Sequence, residues 1–203
     1  MDIAIIKYNA GNVQSVQYAL ERLGYKANIT DDHEAIKSAD KVIFPGVGNA
    51  YSAMESLKKN HLDEVIKKLT QPVLGICVGM QLLCKHSEEN NTTGLGIVDL
   101  KVKKFVSENK NFKIPQMGWN NIFDFSSALF EGIKEESFVY YVHSYYVEHG
   151  NETIATTNYI SPYSAVIQKD NFYGVQFHTE KSAEVGDRIL LNFLKMPPNP
   201  KEE

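Results

Sequence analysis

Through residues 1–90 the apolar positions form short runs, separated by stretches in which they recur at helical spacing. Residues 3–7 make the first run. The turn and helix-start signal Asn9-Ala10-Gly11-Asn12 follows, and Val13, Val16, Leu20 and Leu23 then fall on one face of a helix. Residues 25–29 and 41–44 read as further strands. The second of these is broken by Pro45-Gly46-Val47-Gly48 before a helix that starts near Ala50. Another helix covers 62–69, residues 73–76 form a buried strand, and a helix begins directly after Cys77. Such alternation predicts an α/β fold with a mostly parallel central sheet covered by helices on both faces.

The pattern changes in the second half. Residues 97–98, 102–106, 138–142, 153–157, 164–168 and 173–177 read as strands, several joined by polar turns such as 107–111 and 169–171. Short strands with polar turns favour an antiparallel sheet added to the parallel core. Val185, Ile189, Leu190 and Phe193 mark one face of a final helix, and residues 197–203 are expected to fray. The 203 residues suit a single domain spanning 1–203.

Composition narrows the function classes. Hydrophobic residues make up 43% and charged residues 23%, ordinary values for a soluble protein. The net charge is −4 and no Lys/Arg cluster occurs, which argues against a nucleic-acid partner. The apolar runs are strand-sized, too short to cross a membrane. The N-terminal residues lack a basic region and a cleavage site, so they read as a first strand and the chain is expected to be cytoplasmic. Of the two cysteines, Cys84 reads as a packed core residue. Were the segment from Cys77 to Cys84 helical, the two would lie roughly 10 Å apart at the helical rise. A disulfide needs Cα atoms within about 7 Å. Two free thiols suit a reducing compartment.

Cys77 is the centre of Gly75-Ile76-Cys77-Val78-Gly79-Met80-Gln81. A buried strand runs into it, a helix pattern leaves it, and the flanking glycines permit a tight turn. This is a nucleophile elbow with Cys in place of Ser. A helix N-terminus favours thiolate over thiol, and the N–H of Val78 would point to where an oxyanion develops. The other reading is a buried cysteine at a strand end.

A Cys nucleophile acting on an amide needs a proton shuttle. His33, His61, His86 and His149 stand in polar or helical-surface contexts. His143 lies between tyrosines in Tyr141-Val142-His143-Ser144-Tyr145. His178 has Glu180 two residues on, and in an extended chain the two side chains would share a face, with the carboxylate orienting the imidazole. The alternative is a structural strand-end histidine. A metal site of Cys77, His178 and Glu180 lacks any close-spaced ligand pair.

Taken together, the cysteine elbow, the upstream Pro45-Gly46-Val47-Gly48 and the late His178-x-Glu180 pair resemble a class I (triad-type) glutamine amidotransferase domain of flavodoxin-like fold, over essentially the whole chain. Within that class the resemblance is strongest to the glutaminase subunits of imidazole glycerol phosphate synthases. Its carriers are Tyr8-Asn9-Ala10-Gly11-Asn12, Pro115-Gln116-Met117-Gly118-Trp119-Asn120, Tyr141-Val142-His143-Ser144-Tyr145 and Gln176-Phe177-His178-Thr179-Glu180-Lys181-Ser182. The resemblance implies that Cys77 forms a glutamyl thioester with L-glutamine, His178 moves the protons and Glu180 orients His178. It implies an oxyanion hole at Val47, Gly48 and Val78, and substrate contacts at Gln81, Ser144 and Tyr145. Asn12, Gln116, Trp119 and Lys181 fall where such subunits meet a (β/α)8-barrel cyclase partner in a heterodimer. No cofactor or metal is implied. Thr179 departs from the family, which carries proline there; the His178–Glu180 alignment is expected to survive in a less rigid, still extended segment. Three other readings stay open: a paralogous glutaminase feeding another synthase, a stand-alone hydrolase of γ-glutamyl peptides, and a non-catalytic interaction module.

Overall fold

The computed structural model describes residues 1–9 and 12–197; residues 10 and 11 of the first turn, and the tail beyond residue 197, lie outside the described residues. The first half comprises β1 (Ile3–Ile6), α1 (Val13–Arg22), β2 (Asn28–Thr30), α2 (His33–Ser38), β3 (Lys41–Gly46), α3 (Ala50–Lys59), α4 (Leu62–Lys67), β4 (Val73–Cys77) and α5 (Val78–Leu83). The second half comprises β5 (Cys84–Ser87), β6 (Thr92–Thr93), β7 (Val98–Lys104), β8 (Gln116–Ile122), β9 (Ser137–His143), β10 (Tyr145–Val147), β11 (Thr153–Asn158), β12 (Pro162–Lys169), β13 (Phe172–Val175) and α6 (Ala183–Lys195).

Several boundaries differ from expectation for local reasons. Tyr25 is not in β2, because it closes α1: its N–H donates to Leu20 O at 2.9 Å, and that of Gly24 (φ +86) donates to Glu21 O at 2.9 Å. This is the Schellman pattern of helix termination. α2, too short to show a period, is started by the Asp32 side chain, which accepts from the Ala35 N–H at 2.8 Å. β3 runs on through Pro45 to Gly46. Its pairing with β1 stops at Ile43 while that with β4 continues, so the proline sits where one side of the strand is open. The segment after Cys77 is helical for one and a half turns only; at Cys84 the chain turns extended and starts β5.

Strands β2-β1-β3-β4-β13 pair in parallel, in that order. The sheet then continues antiparallel through β12 and β10 to β7, with β5 and β6 beyond and β11 beside β12. β8 and β9 form a separate antiparallel pair. The expected division into a parallel first half and an antiparallel second half is therefore crossed by β13. It meets β12 antiparallel but lies parallel to β4, and so completes the core from the far end of the chain. β1, β3, β4 and β13 are buried at every position, since helices cover both faces. Fully buried Ile5, Ile43, Phe44, Leu74 and Val175 lie at its centre, each contributing about 1.5–3 kcal/mol by burial.

Candidate active site

Parallel register brings three chain segments out at one edge of the sheet. Gly46 pairs with Cys77, and Ile76 pairs with Val175, so the residues leaving β3, β4 and β13 are neighbours. Crevices at the carboxyl ends of parallel strands are where open α/β folds place their chemistry. Cys77 ends β4 with φ 54 and ψ −111, a backbone that an L residue adopts only under strain. α5 starts at the next residue. It packs so closely on the strand ends that a Cβ at Gly75 would come within 2.9 Å of the Gly79 backbone. A Cβ at Gly79 would collide with the Phe44 carbonyl oxygen. The bend thus depends on both flanking glycines, and it holds the sulfur buried at the sheet edge.

His178 arrives from β13. The chain does not stay extended beyond it: Thr179–Lys181 form a 3-10 turn, and this turn, not strand alternation, brings Glu180 back to the ring. His178 Nδ1 and Glu180 Oε1 are 2.8 Å apart, with both side chains out of solvent. A carboxylate oxygen accepts, so Nδ1 carries the proton of the bond and Nε2 is left for the sulfur side. Nε2 is itself buried without a hydrogen-bond partner among the described residues. Burial disfavours the charged ring, but the facing Cys77 sulfur and the Glu180 carboxylate outweigh it and push the His178 pKa up to about 10. The backbone is fixed as well. His178 N–H donates to Tyr140 O at 2.9 Å, while Ser182 Oγ donates to His178 O at 2.6 Å and accepts from the Tyr140 N–H.

A cavity of about 260 Å³ opens onto Cys77 and His178. Val47, Gly48, Val78, Gln81, Ser144 and Tyr145, all singled out in the sequence, line it together with those two residues. Gly48 has φ +91, and Val78, as the first residue of α5, has an N–H free of intrahelical bonding. The Gln81 amide nitrogen donates to Tyr145 O and to Gln176 Oε1, each at 2.9 Å. His143 also lines the cavity. Its Nδ1 lies 2.7 Å from Tyr145 O, and burial lowers its pKa to about 4, so it is a neutral ring that donates to that carbonyl.

Two residues at this site were given no role by the sequence. Glu89, in the short 3-10 segment Glu89–Asn91, lines the cavity and accepts from the Ala50 N–H at 2.6 Å. No periodicity marks so short an element. Gln176, fully buried, donates to Cys77 Sγ at 3.8 Å. The signal that could have found it was its place in the motif at 176–182, two residues before His178.

The expected partner-facing residues divide. Trp119 is 53% exposed and Lys181 is exposed, whereas Asn12 is half-buried and caps α1 by accepting from the Ser15 N–H. Gln116 is buried, its side chain accepting from Tyr163 OH at 3.0 Å. Strand alternation puts it on the inner side of β8, opposite Trp119, so its side chain supports that face and does not belong to it. Met117 and Phe138, at 65% and 57% exposed, join Trp119 on the outer side of the β8–β9 pair.

The model of the glutamine amidotransferase class I family matches residues 4–196. The chain is 57% identical to the imidazole glycerol phosphate synthase subunit HisH of Bacteroides thetaiotaomicron, covering 97% of this chain and 100% of the relative. It is 46% identical to the subunit of the same name from Yersinia pseudotuberculosis, again covering 97% and 100%. Among solved structures, a glutamine amidotransferase from Thermotoga maritima superposes with a TM-score of 0.62 at 18% identity, over 96% of this chain and 82% of the other.

Proposed function

Since the chain belongs to the class I glutamine amidotransferases, and within them to the HisH subunits of imidazole glycerol phosphate synthase, we propose that it hydrolyses L-glutamine through a Cys77–His178–Glu180 triad and passes the ammonia to a cyclase subunit. Histidine biosynthesis is its pathway, and the cytoplasm its place. Membership in the HisH subunits decides against a paralogous glutaminase feeding another synthase. One amidotransferase domain spans the chain.

The observation that carries this reading is the convergence of β4 and β13. Parallel pairing places Cys77 and His178 at adjacent strand ends, and Glu180 binds the ring nitrogen remote from the sulfur. In the first step the Cys77 sulfur attacks the side-chain amide carbon of glutamine. The developing oxyanion is met by the N–H of Val78 and, after a peptide rotation, by that of Val47. Gly48, with its positive φ and open surroundings, gives this segment room to rotate. His178 Nε2 gives its proton to the departing nitrogen, releasing ammonia and leaving a glutamyl thioester. The neutral ring then takes a proton from water, the thioester is cleaved, and glutamate leaves. Glu180 keeps the ring in one tautomer throughout.

Substrate recognition follows from the cavity's polar groups. Both amide hydrogens of Gln81 are engaged, so its Oε1 is the atom left to accept from the substrate's α-ammonium, with the Glu89 carboxylate nearby on the cavity wall. The backbone at Ser144 and Tyr145 holds the α-carboxylate.

Ammonia released into neutral water is protonated and loses its nucleophilicity, so a sealed route to the acceptor is required. The outer side of β8 and β9, with Met117, Trp119 and Phe138 exposed, is the surface we assign to a (β/α)8-barrel cyclase in a heterodimer. β9 continues directly into the cavity wall at His143, which ties the docking face to the site. Lys181, in the 3-10 turn that contacts both β9 and α1, is assigned with Asn12 to the border of this surface. Titration with the cyclase subunit tests the assignment: glutamine hydrolysis should rise on complex formation, and an identical rate with and without the partner would refute it.

A further inference from the structure

Gln176 is assigned no part in the chemistry described above, yet its amide is the last member of a hydrogen-bond chain whose polarity is fixed from one end. The Tyr145 backbone carbonyl can only accept. It accepts from His143 Nδ1 at 2.7 Å and from Gln81 Nε2 at 2.9 Å. The nitrogen end of Gln81 must therefore face Tyr145, and its second hydrogen points to Gln176 at 2.9 Å. Gln176 must present its oxygen to that hydrogen. Its own NH2 group is then turned toward Cys77 Sγ, at 3.8 Å. A flip of either amide would set two donors or two acceptors against each other inside a buried network, at a cost of about 1–3 kcal/mol.

We propose that Gln176 is a positioning residue for the amidotransferase reaction, a fixed N–H donor to the Cys77 sulfur whose orientation is set by the substrate-binding pair Gln81 and Tyr145. The inference rests on Cys77 being the nucleophile. Two groups then serve the sulfur, and they differ in kind. His178 loses its proton to the departing ammonia, while the amide of Gln176 keeps its hydrogens through the cycle. It therefore still favours the thiolate when the thioester collapses and the sulfur must leave. Its position has a simple origin: Gln176 follows Val175 as Cys77 follows Ile76, and those two are register partners in β13 and β4. The same Gln81 amide that orients Gln176 offers its oxygen to the substrate, so recognition and nucleophile share one side chain.

The test uses the full chain and iodoacetamide, with alkylation at each cysteine mapped by peptide mass spectrometry across a range of pH. In Gln176→Glu a carboxylate replaces the amide donor at the same length. Alkylation of Cys77 near neutral pH should slow by about tenfold and its profile move to the alkaline side, with Gln176→Leu intermediate. With glutamine and the cyclase subunit, kcat should fall while KM changes little. Where the Gln176 variants do not fold, Gln81→Leu frees the Gln176 amide to turn and should move the alkylation profile in the same direction. A folded Gln176→Glu protein whose Cys77 profile matches the wild type would overturn the proposal. Undiminished glutamine hydrolysis in Cys77→Ala would instead overturn the underlying nucleophile assignment.

Discussion

Glu180 reaches the ring of His178 from within a single 3-10 turn: Oε1 lies 2.8 Å from Nδ1, and the second carboxylate oxygen is buried without a partner among the described residues. Among the described residues the pair thus has one tight bond and no second ion-pair partner. His178 must be protonated to release ammonia, and its pKa stands at about 10. Glu180→Gln keeps an acceptor for Nδ1 but removes the charge. The alkaline limb of the kcat profile should therefore move to lower pH, and kcat near neutrality should drop by about 10² or more. Steady-state glutamine hydrolysis across pH measures both; an unmoved alkaline limb would exclude this role for Glu180.

The same shift has a consequence for stability. A raised folded-state pKa means the folded protein binds the His178 proton more tightly than the unfolded chain does. That stabilisation is fully present below the unfolded value near 6.5 and is lost as pH climbs through about 10. Urea titrations at increasing pH should show wild-type stability declining across that window. Glu180→Gln should decline less over the same window, and an equal decline would contradict the linkage.

Cys77 has φ 54, so the nucleophile's backbone is strained. Cys77→Ala and Cys77→Gly should both abolish hydrolysis. Glycine, ordinarily the weaker choice, should be the more stable of the two by about 1 kcal/mol in urea denaturation. The reverse order would mean that the elbow carries no strain.

Thr179 is fully buried, and its hydroxyl has no partner among the described residues. Thr179→Val keeps the volume and removes that hydroxyl, so it should stabilise the fold by about 1 kcal/mol. Calorimetric melting reads this directly. A lower melting temperature would show that the hydroxyl is bonded in solution.

Trp119 and Phe138 expose large apolar surface on paired strands and form no part of the triad or of the cavity lining. Trp119→Ala with Phe138→Ala should weaken cyclase binding by about 2 kcal/mol or more while leaving the rate of the isolated chain unchanged. Binding measured by calorimetry, beside a glutaminase assay without partner, separates the two effects. Wild-type affinity would move the docking face elsewhere.

Local pattern made the parallel half readable, because buried parallel strands are uninterrupted apolar runs and the helices between them keep a 3.6-residue period. The elbow at Cys77 was legible for the same reason, as a strand run, a glycine and a helix start in immediate succession. Other features depend on distant contacts. β13 belongs to the parallel core only through its pairing with β4, nearly a hundred positions earlier in the chain, and nothing local distinguishes it from the antiparallel strands beside it. β8, with two adjacent asparagines and an exposed Trp119, lacks the alternation of a half-buried strand. The His178–Glu180 pairing was anticipated from spacing two, but the path is a tight turn; strand geometry was the wrong reason for a contact that does form. Glu89 carries no motif of its own, and Gln176 stands in the motif around His178 without any local sign of its contact; the importance of each lies in its place beside Cys77, Glu89 on the shared cavity wall and Gln176 against the sulfur.

The most direct measurement of the central claim is covalent trapping by an electrophilic diazo-ketone analogue of glutamine, with the adduct located by peptide mass spectrometry in the presence of the cyclase subunit. One adduct on Cys77, none on Cys84, and loss of hydrolysis in proportion to labelling are the expected results. Full inactivation with Cys77 unmodified would contradict the account.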